Sequence, residues 1–250
     1  LYARRESCIC LGEIMINSGE KNFFNSIKNT CHVIFDIGCR EDTYYSENSE
    51  NKIFYLFEPN PTSYINCKNK IDNLVDNKTI KTNKIHLFNY GLGNKTMTHE
   101  YYLETQSFFE RKRILPKEAK PVKLFIHRFS EFLKENNIDK IDFLKIDTEG
   151  FEPEILLDNI DFIKNNVKYV QFEWASTWYD KTECIPFPDI YNMYKNNFSF
   201  YFVYDPDHPF ADCYSEMLTS IVSQEDYEAF EEAVSIGYGS NIAMIRRKSK

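Results

Sequence analysis

Short apolar runs alternate along the chain with stretches whose apolar positions recur at helical spacing. Residues 13–29, EIMINSGEKNFFNSIKN, read as a helix with Ile14, Phe23, Phe24 and Ile27 as its apolar contacts. HVIFDIG (32–38), KIFYLFEPNP (52–61) and KIHLFNYGLG (84–93) read as the first three strands, the third ending at Asn89 and Gly91. SYINCKNKI (63–71) is the helix between the second and third, followed by a polar loop near 72–84. HEYYLET (99–105) and PVKLFIHRF (121–129) are two further strands, and a basic stretch, RKRILPKEAKPVK (111–123), lies between them. SEFLKENN (130–137) is a helix with Ser130 as its natural N-cap. DFLKID (142–147) is a strand, and EPEILLDNIDFIKNN (152–166) is a helix whose opening acids suit its dipole.

The remainder continues the alternation: KYVQFEW (168–174), the helix FPDIYNMYKNN (187–197), FSFYFVYD (198–205) and SNIAMIRR (240–247). Within 206–240 only SQEDYEAFEEAV (223–234) carries a helical pattern. Strands alternating with helices predict an α/β protein with a doubly wound, mostly parallel sheet. The two extra strands make a small insertion near 98–128. No repeat, low-complexity tract or linker divides the chain, so residues 1–250 read as one domain: an N-terminal helical extension over 1–31 and a core over 32–250.

Composition narrows the class. The chain has 250 residues, 42% hydrophobic and 27% charged, with 17 Tyr and 21 Phe, enough for a large core. A formal net charge of −8 argues against general nucleic-acid binding, which leans on a basic surface. The seven Cys are scattered without a CxxC pair, which suits reduced thiols and a cytoplasmic protein. The His residues do not fall at zinc-ligand spacing from them. No apolar run reaches the length of a membrane span. The chain starts at Leu1, which suits a domain cut from a longer protein that also carries glycosyltransferases.

In open α/β sheets ligands sit at the carboxyl ends of the strands, where the connections reverse. The residues ending these strands are Asp36, Glu58, Asn89, Asp147 and Glu173, acids at all but one place. Gly38 permits a tight turn after the first strand. Glu58 ends the second strand about 20 residues after Asp36, the usual place for an acid that accepts ribose hydroxyls. GxGxxG is missing after Gly38, which counts against a pyrophosphate cofactor and leaves room for a nucleoside without phosphates.

VIFDIGCREDTYY, FYLFEPNP, NYGLGN, FLKIDTEGFEPEIL and VQFEW stand in an order and spacing that resemble the FkbM family of S-adenosylmethionine-dependent methyltransferases. The resemblance covers roughly residues 32–175 and rests chiefly on the Phe-Glu-Pro-Asn-Pro and Lys-Ile-Asp-x-Glu-Gly blocks. It implies a Rossmann-like, class I methyltransferase fold with a seven-stranded sheet, and S-adenosyl-L-methionine as cofactor. By position it implies that Asp36, Gly38, Cys39 and Arg40 hold the methionine end, that Glu58 takes the ribose, and that Pro59, Asn60, Asn89, Gly91 and Leu92 flank the adenine. The chain also departs from the family. Cys39, Arg40 and Asp42 stand where a small residue, Asn and Gly are usual, and Phe129-Ser130 stands where Leu-Asp is usual.

Lys145 interrupts what should be a continuous apolar strand, so it needs an ionic partner. It shares a face with Asp147 and has Asp36 and Glu58 as further candidates. Asp147 and Glu149 belong with the site, whereas Glu152 and Glu154 read as serving the helix that follows. Methyl transfer to a hydroxyl needs positioning and a group that takes the proton. The candidates are Asp147, Glu149 and Glu173, with Lys145 as ionic support and His127 as a weaker candidate. The same carboxylates suit Mg²⁺, but no third ligand is fixed by spacing, and no metal site is assigned.

For the acceptor, the resemblance implies a hydroxyl on a sugar, a glycan or a natural product. The basic stretch 111–123 and the aromatics Trp174, Trp178, Tyr179, Phe187 and Tyr191 favour a glycan with a terminal deoxysugar. Methylation of an RNA cap ribose and a fold retained without catalysis are the alternatives.

Overall fold

The computed structural model describes residues 19–80, 82–101, 121–174, 187–203 and 240–248. Ile14, most of the basic stretch, Trp178, Tyr179 and the helix expected at 223–234 lie outside them.

The central layer is a seven-stranded sheet of β1 (Val33–Ile37), β2 (Ile53–Phe57), β3 (Lys84–Phe88), β7 (Ile141–Ile146), β8 (Val167–Trp174), β9 (Phe198–Val203) and β10 (Ser240–Arg246). Their order is β3-β2-β1-β7-β8-β10-β9. The first five run parallel, and β10 is antiparallel to both neighbours. The chain moves outward from β1 to β3 and then crosses back to β7 on the other side of β1. The reversal opens a crevice above the carboxyl ends of β1 and β7.

β1 and β7 are covered on both faces and accordingly apolar, with Ile34, Phe35, Ile37, Phe143, Leu144 and Ile146 buried. On one face Ile34, Phe54 and Phe143 pack under α1 (Gly19–Ile27), whose Phe23 and Phe24 are fully buried. On the other, Phe35, Leu144 and Phe172 pack with Phe132 of α4 (Phe129–Glu135) and Ile155 of α5 (Glu152–Asp158). Burying each such side chain contributes about 1.5–3 kcal/mol.

A second sheet joins β4 (Gly91–Gly93), β5 (Met97–Tyr101) and β6 (Val122–Arg128) in the order β4-β6-β5. The expected third strand is therefore two strands: the chain bends at residues 89–90, and Gly91–Gly93 pairs with β6. The helix after β2 also outruns its expectation. α3 (Pro61–Asp76) continues to Asp76 and stops before a left-handed turn at Lys78, φ 57°, where Thr79 N donates to Leu74 O, and a one-residue break at Asn159 splits the expected 152–166 helix into α5 and α6 (Ile160–Asn166). Asn60 caps α3, its side chain accepting from Thr62 N and Ser63 N, with Pro61 at the first turn. Ser130 does not cap α4. Arg128 holds that position, and Ser130 Oγ donates to Asp158.

α2 (Tyr44–Glu47) and α7 (Phe187–Tyr194) complete the described elements. Trp174, Phe187 and Tyr191 are core residues rather than a sugar shelf, Trp174 meeting Phe187 edge-on at 5.5 Å. Cys31, Cys39 and Cys67 are free thiols. Among the described residues no helix is long and apolar enough to cross a membrane.

Candidate active site

Backbone hydrogen bonds carry the sheet ladder past the strand ends and fix the residues that surround the crevice. Gly38 N and Cys39 N donate to Phe57 O, Glu58 N to Phe88 O, and Asp147 N to Ile37 O at 2.8 Å. These bonds bring Gly38, Glu58 and Asp147 onto one rim. Gly38 has φ 89°, and a Cβ there would fall 1.7 Å from the carbonyl oxygen of Asp147. Only glycine lets the two loops approach this closely.

Beside this rim lies a cavity of about 110 Å³, partly open to solvent. Gly38, Arg40, Glu58, Pro59, Asn60, Gly91, Leu92, Asp147 and Glu149 line it. So do Tyr101, Leu124 and Ile126 of the small sheet, and Thr148 and Phe151. The sequence marked the small sheet only as an insertion. Its inward-facing alternation on β6, Leu124 and Ile126, was the signal that it covers something.

Glu58 is buried, and both its oxygens are engaged: Oε2 accepts from Arg40 N at 2.8 Å and Oε1 from Asn60 N at 2.7 Å. Burial pushes its carboxyl up, with these two N–H donors working against the rise. Each oxygen keeps lone-pair capacity toward the cavity. Arg40 sits in the left-handed region at φ 49°, where an Asn is better tolerated, and its N–H bond to Glu58 helps hold it there. Asp42 lies outside that region and needs no glycine. Its side chain accepts from Tyr44 N and starts α2.

Not every expected contact faces the cavity. The Cys39 side chain turns into the core, Asp36 is buried behind the rim, and Asn89 braces the wall by donating to Glu58 O at 3.0 Å. His127 lies away from the site, between Thr96 and Glu135.

Lys145 and Asp36 are paired across β1 and β7. The ammonium lies 3.0 Å from Asp147, 3.6 Å from Asp36 and 3.9 Å from Glu20 of α1. Glu58 is not a partner, and Glu20 is one the sequence did not suggest. Burial works to lower the Lys145 pKa, but Asp147, Asp36 and Glu20 outweigh it and keep the amine charged. Burial pushes Asp36 up to about 7, with Lys145 opposing.

Asp147, Glu149 and Glu173 converge, each offering an oxygen within 4.8 Å of the others. Burial, then the charges of Asp147 and Glu149, push Glu173 up to about 8. Glu149 is aimed from a left-handed residue, φ 58°, followed by Gly150 at φ 117°. Glu152 secures that turn: its carboxylate accepts from Thr148 N at 2.5 Å, Thr148 Oγ1 at 2.9 Å and Gly150 N at 2.8 Å. Glu152 is thus fully buried and serves the loop before the helix more than the helix itself.

The strand order and a crevice ringed by strand-end acids define the Rossmann-like fold of class I methyltransferases. A family model for the methyltransferase FkbM domain matches residues 36–208, and the chain belongs to that family. No curated protein matches the chain. Among solved structures it is similar to the methyltransferase FkbM from Methylobacillus flagellatus KT, with TM-score 0.47, 13% identity, and coverage of 71% of this chain and 41% of that one. It is also similar to an rRNA methylase from Streptococcus thermophilus, with TM-score 0.45, 9% identity, and coverage of 98% and 100%. The N-terminal domain of human METTL16 in complex with SAH gives TM-score 0.45, 11% identity, and coverage of 91% and 70%.

Proposed function

We propose that the chain is an S-adenosylmethionine-dependent O-methyltransferase whose acceptor is a sugar hydroxyl of a glycan, a terminal deoxysugar being the first to try. The observation that carries this reading is the continuity of two halves. A cavity with Glu58 at its wall is also lined by Asp147 and Glu149, which converge with Glu173.

When bound, S-adenosylmethionine supplies a methyl group activated by its sulfonium. The residues present fit it: Gly38 leaves the backbone open to close approach, and Glu58 retains acceptor capacity for two ribose hydroxyls. Pro59, Leu92, Ile126 and Tyr101 offer an apolar seat for the base. Asp147 and Glu149 accept hydrogen bonds from acceptor hydroxyls and orient them. Glu173, with a pKa near 8, takes the proton of the reacting hydroxyl. A hydroxyl-rich acceptor suits three convergent carboxylates, whereas the phosphates of RNA would be repelled by them.

The test is transfer of a labelled methyl group to a panel of glycans and nucleotide sugars, read by mass spectrometry. Methylation of a sugar hydroxyl is expected, and transfer only to RNA or to no glycan overturns the acceptor assignment. Hard cations also bridge carboxylates at such spacing. Activity unchanged by a chelator supports the proton role, and activity that requires added Mg²⁺ replaces it with a metal role.

A further inference from the structure

The family match begins at residue 36, yet α1, which precedes it, reaches the strand ends. Phe23 and Phe24 anchor the helix, Phe24 against Tyr45 at 4.7 Å and both rings against Phe143 of β7. One residue past the start of the helix, Glu20 points at the strand-end charges. Its Oε2 lies 3.9 Å from Lys145 Nζ and accepts from Tyr45 Oη at 3.4 Å. Lys145 is thereby held among Glu20 above it, Asp36 on β1 and Asp147 on its own strand. The Glu20 side chain keeps 28% of its exposure and that of Asp147 31%, so both remain at the open edge of this buried group.

A single lysine shared by three acids cannot neutralise any one of them. With Glu20 gone, the ammonium would be divided between Asp36 and Asp147 alone, and Asp147 would be held more firmly in its ion pair. Glu20 also adds negative charge beside the carboxylate cluster, which favours retention of a proton there.

We propose that α1 is a working part of the active site and that Glu20 is its positioning residue, sharing the Lys145 ammonium with Asp36 and Asp147 and adding negative charge beside the carboxylate cluster. The inference rests on the methyl-transfer reading for its catalytic consequence, but its electrostatic core does not. The groups facing Glu173 are Asp147 and Glu149 from the β7–α5 turn, Glu152 at the start of α5, Lys145 from β7 and Glu20 from α1. Removing the Glu20 charge lessens repulsion at Glu173 and lowers its titration midpoint from about 8.

The experiment compares wild type with Glu20→Gln and Glu20→Asp. Carboxyl carbon NMR on protein labelled at Glu follows Glu173 without cofactor or acceptor, with Glu173→Gln to assign the resonance. Thermal unfolding checks that each variant is folded. The expected result is a lower Glu173 midpoint in Glu20→Gln, restored by Glu20→Asp, with S-adenosylmethionine affinity within about twofold of wild type. Under the proposed function, the rise of kcat with pH moves to lower pH in Glu20→Gln together with the Glu173 midpoint. An unchanged midpoint in folded Glu20→Gln overturns the inference and leaves α1 as packing. Wild type that transfers no methyl group overturns the proposed function instead, and the NMR midpoint still decides the role of Glu20.

Discussion

At Gly38 the backbone leaves no space: a methyl group there would collide with Asp147 O, which belongs to a second loop that cannot retreat without losing its bond to Ile37 O. Gly38→Ala is expected to abolish measurable cofactor binding, checked by calorimetry on variant protein whose folding is confirmed by circular dichroism. Glu173 gives the second residue-scale prediction. Because its carboxyl titrates near 8, kcat should rise with pH to a plateau above that value, and Glu173→Gln should lose the rise together with most activity. A flat profile in wild type would remove Glu173 from the proton transfer. At this scale the strand-end acids were legible, since position along a parallel strand decides what faces the crevice. Cys39 was not: a residue inside a binding loop can still turn its side chain inward, and only packing against the core shows that it does. Glu152 looked like a helix-opening acid because that is its place in sequence. Its burial depends on how the Thr148–Gly150 turn folds back over it. Glu20 carried no signal, because its partner Lys145 is brought to it only by the packing of Phe23 and Phe24 on Phe143.

Among elements, the strands of the central sheet were readable because burial on both faces imposes apolar runs. The boundaries of helices were less so. Asn60-Pro61 announces the start of α3 through cap chemistry, but its end comes where Lys78 turns left-handed, at a residue type that gives no such signal. Asn60→Ala is expected to cost about 1 kcal/mol, or about 2–4 °C in Tm at this size. It should also loosen the wall beside Glu58, so differential scanning calorimetry with and without S-adenosylmethionine separates the two effects. The small sheet was visible as strands, yet its role as a cavity wall was not, since register and sheet order fix what Tyr101, Leu124 and Ile126 face.

For the whole molecule, buried acids near a single lysine tie stability to pH. Asp36 and Glu173 have folded-state pKa values raised to about 7 and about 8, above their unfolded values of about 4. Their protonated forms are therefore favoured by folding. The contribution is complete below about pH 4 and is lost as pH rises through 7 to 8. Tm should fall between pH 6 and pH 9, and Glu173→Gln should flatten the decline; a Tm that climbs over this interval contradicts the placement of these acids. The formal charge of −8 sharpens the same trend. The account as a whole depends on the cavity beside Glu58 being a cofactor site. Calorimetric titration of S-adenosylmethionine and S-adenosylhomocysteine into wild type and Glu58→Ala tests this most directly. Binding of both by wild type, weakened at least about tenfold in a folded Glu58→Ala variant, is the predicted result. No binding to wild type, or equal binding by the variant, would contradict it.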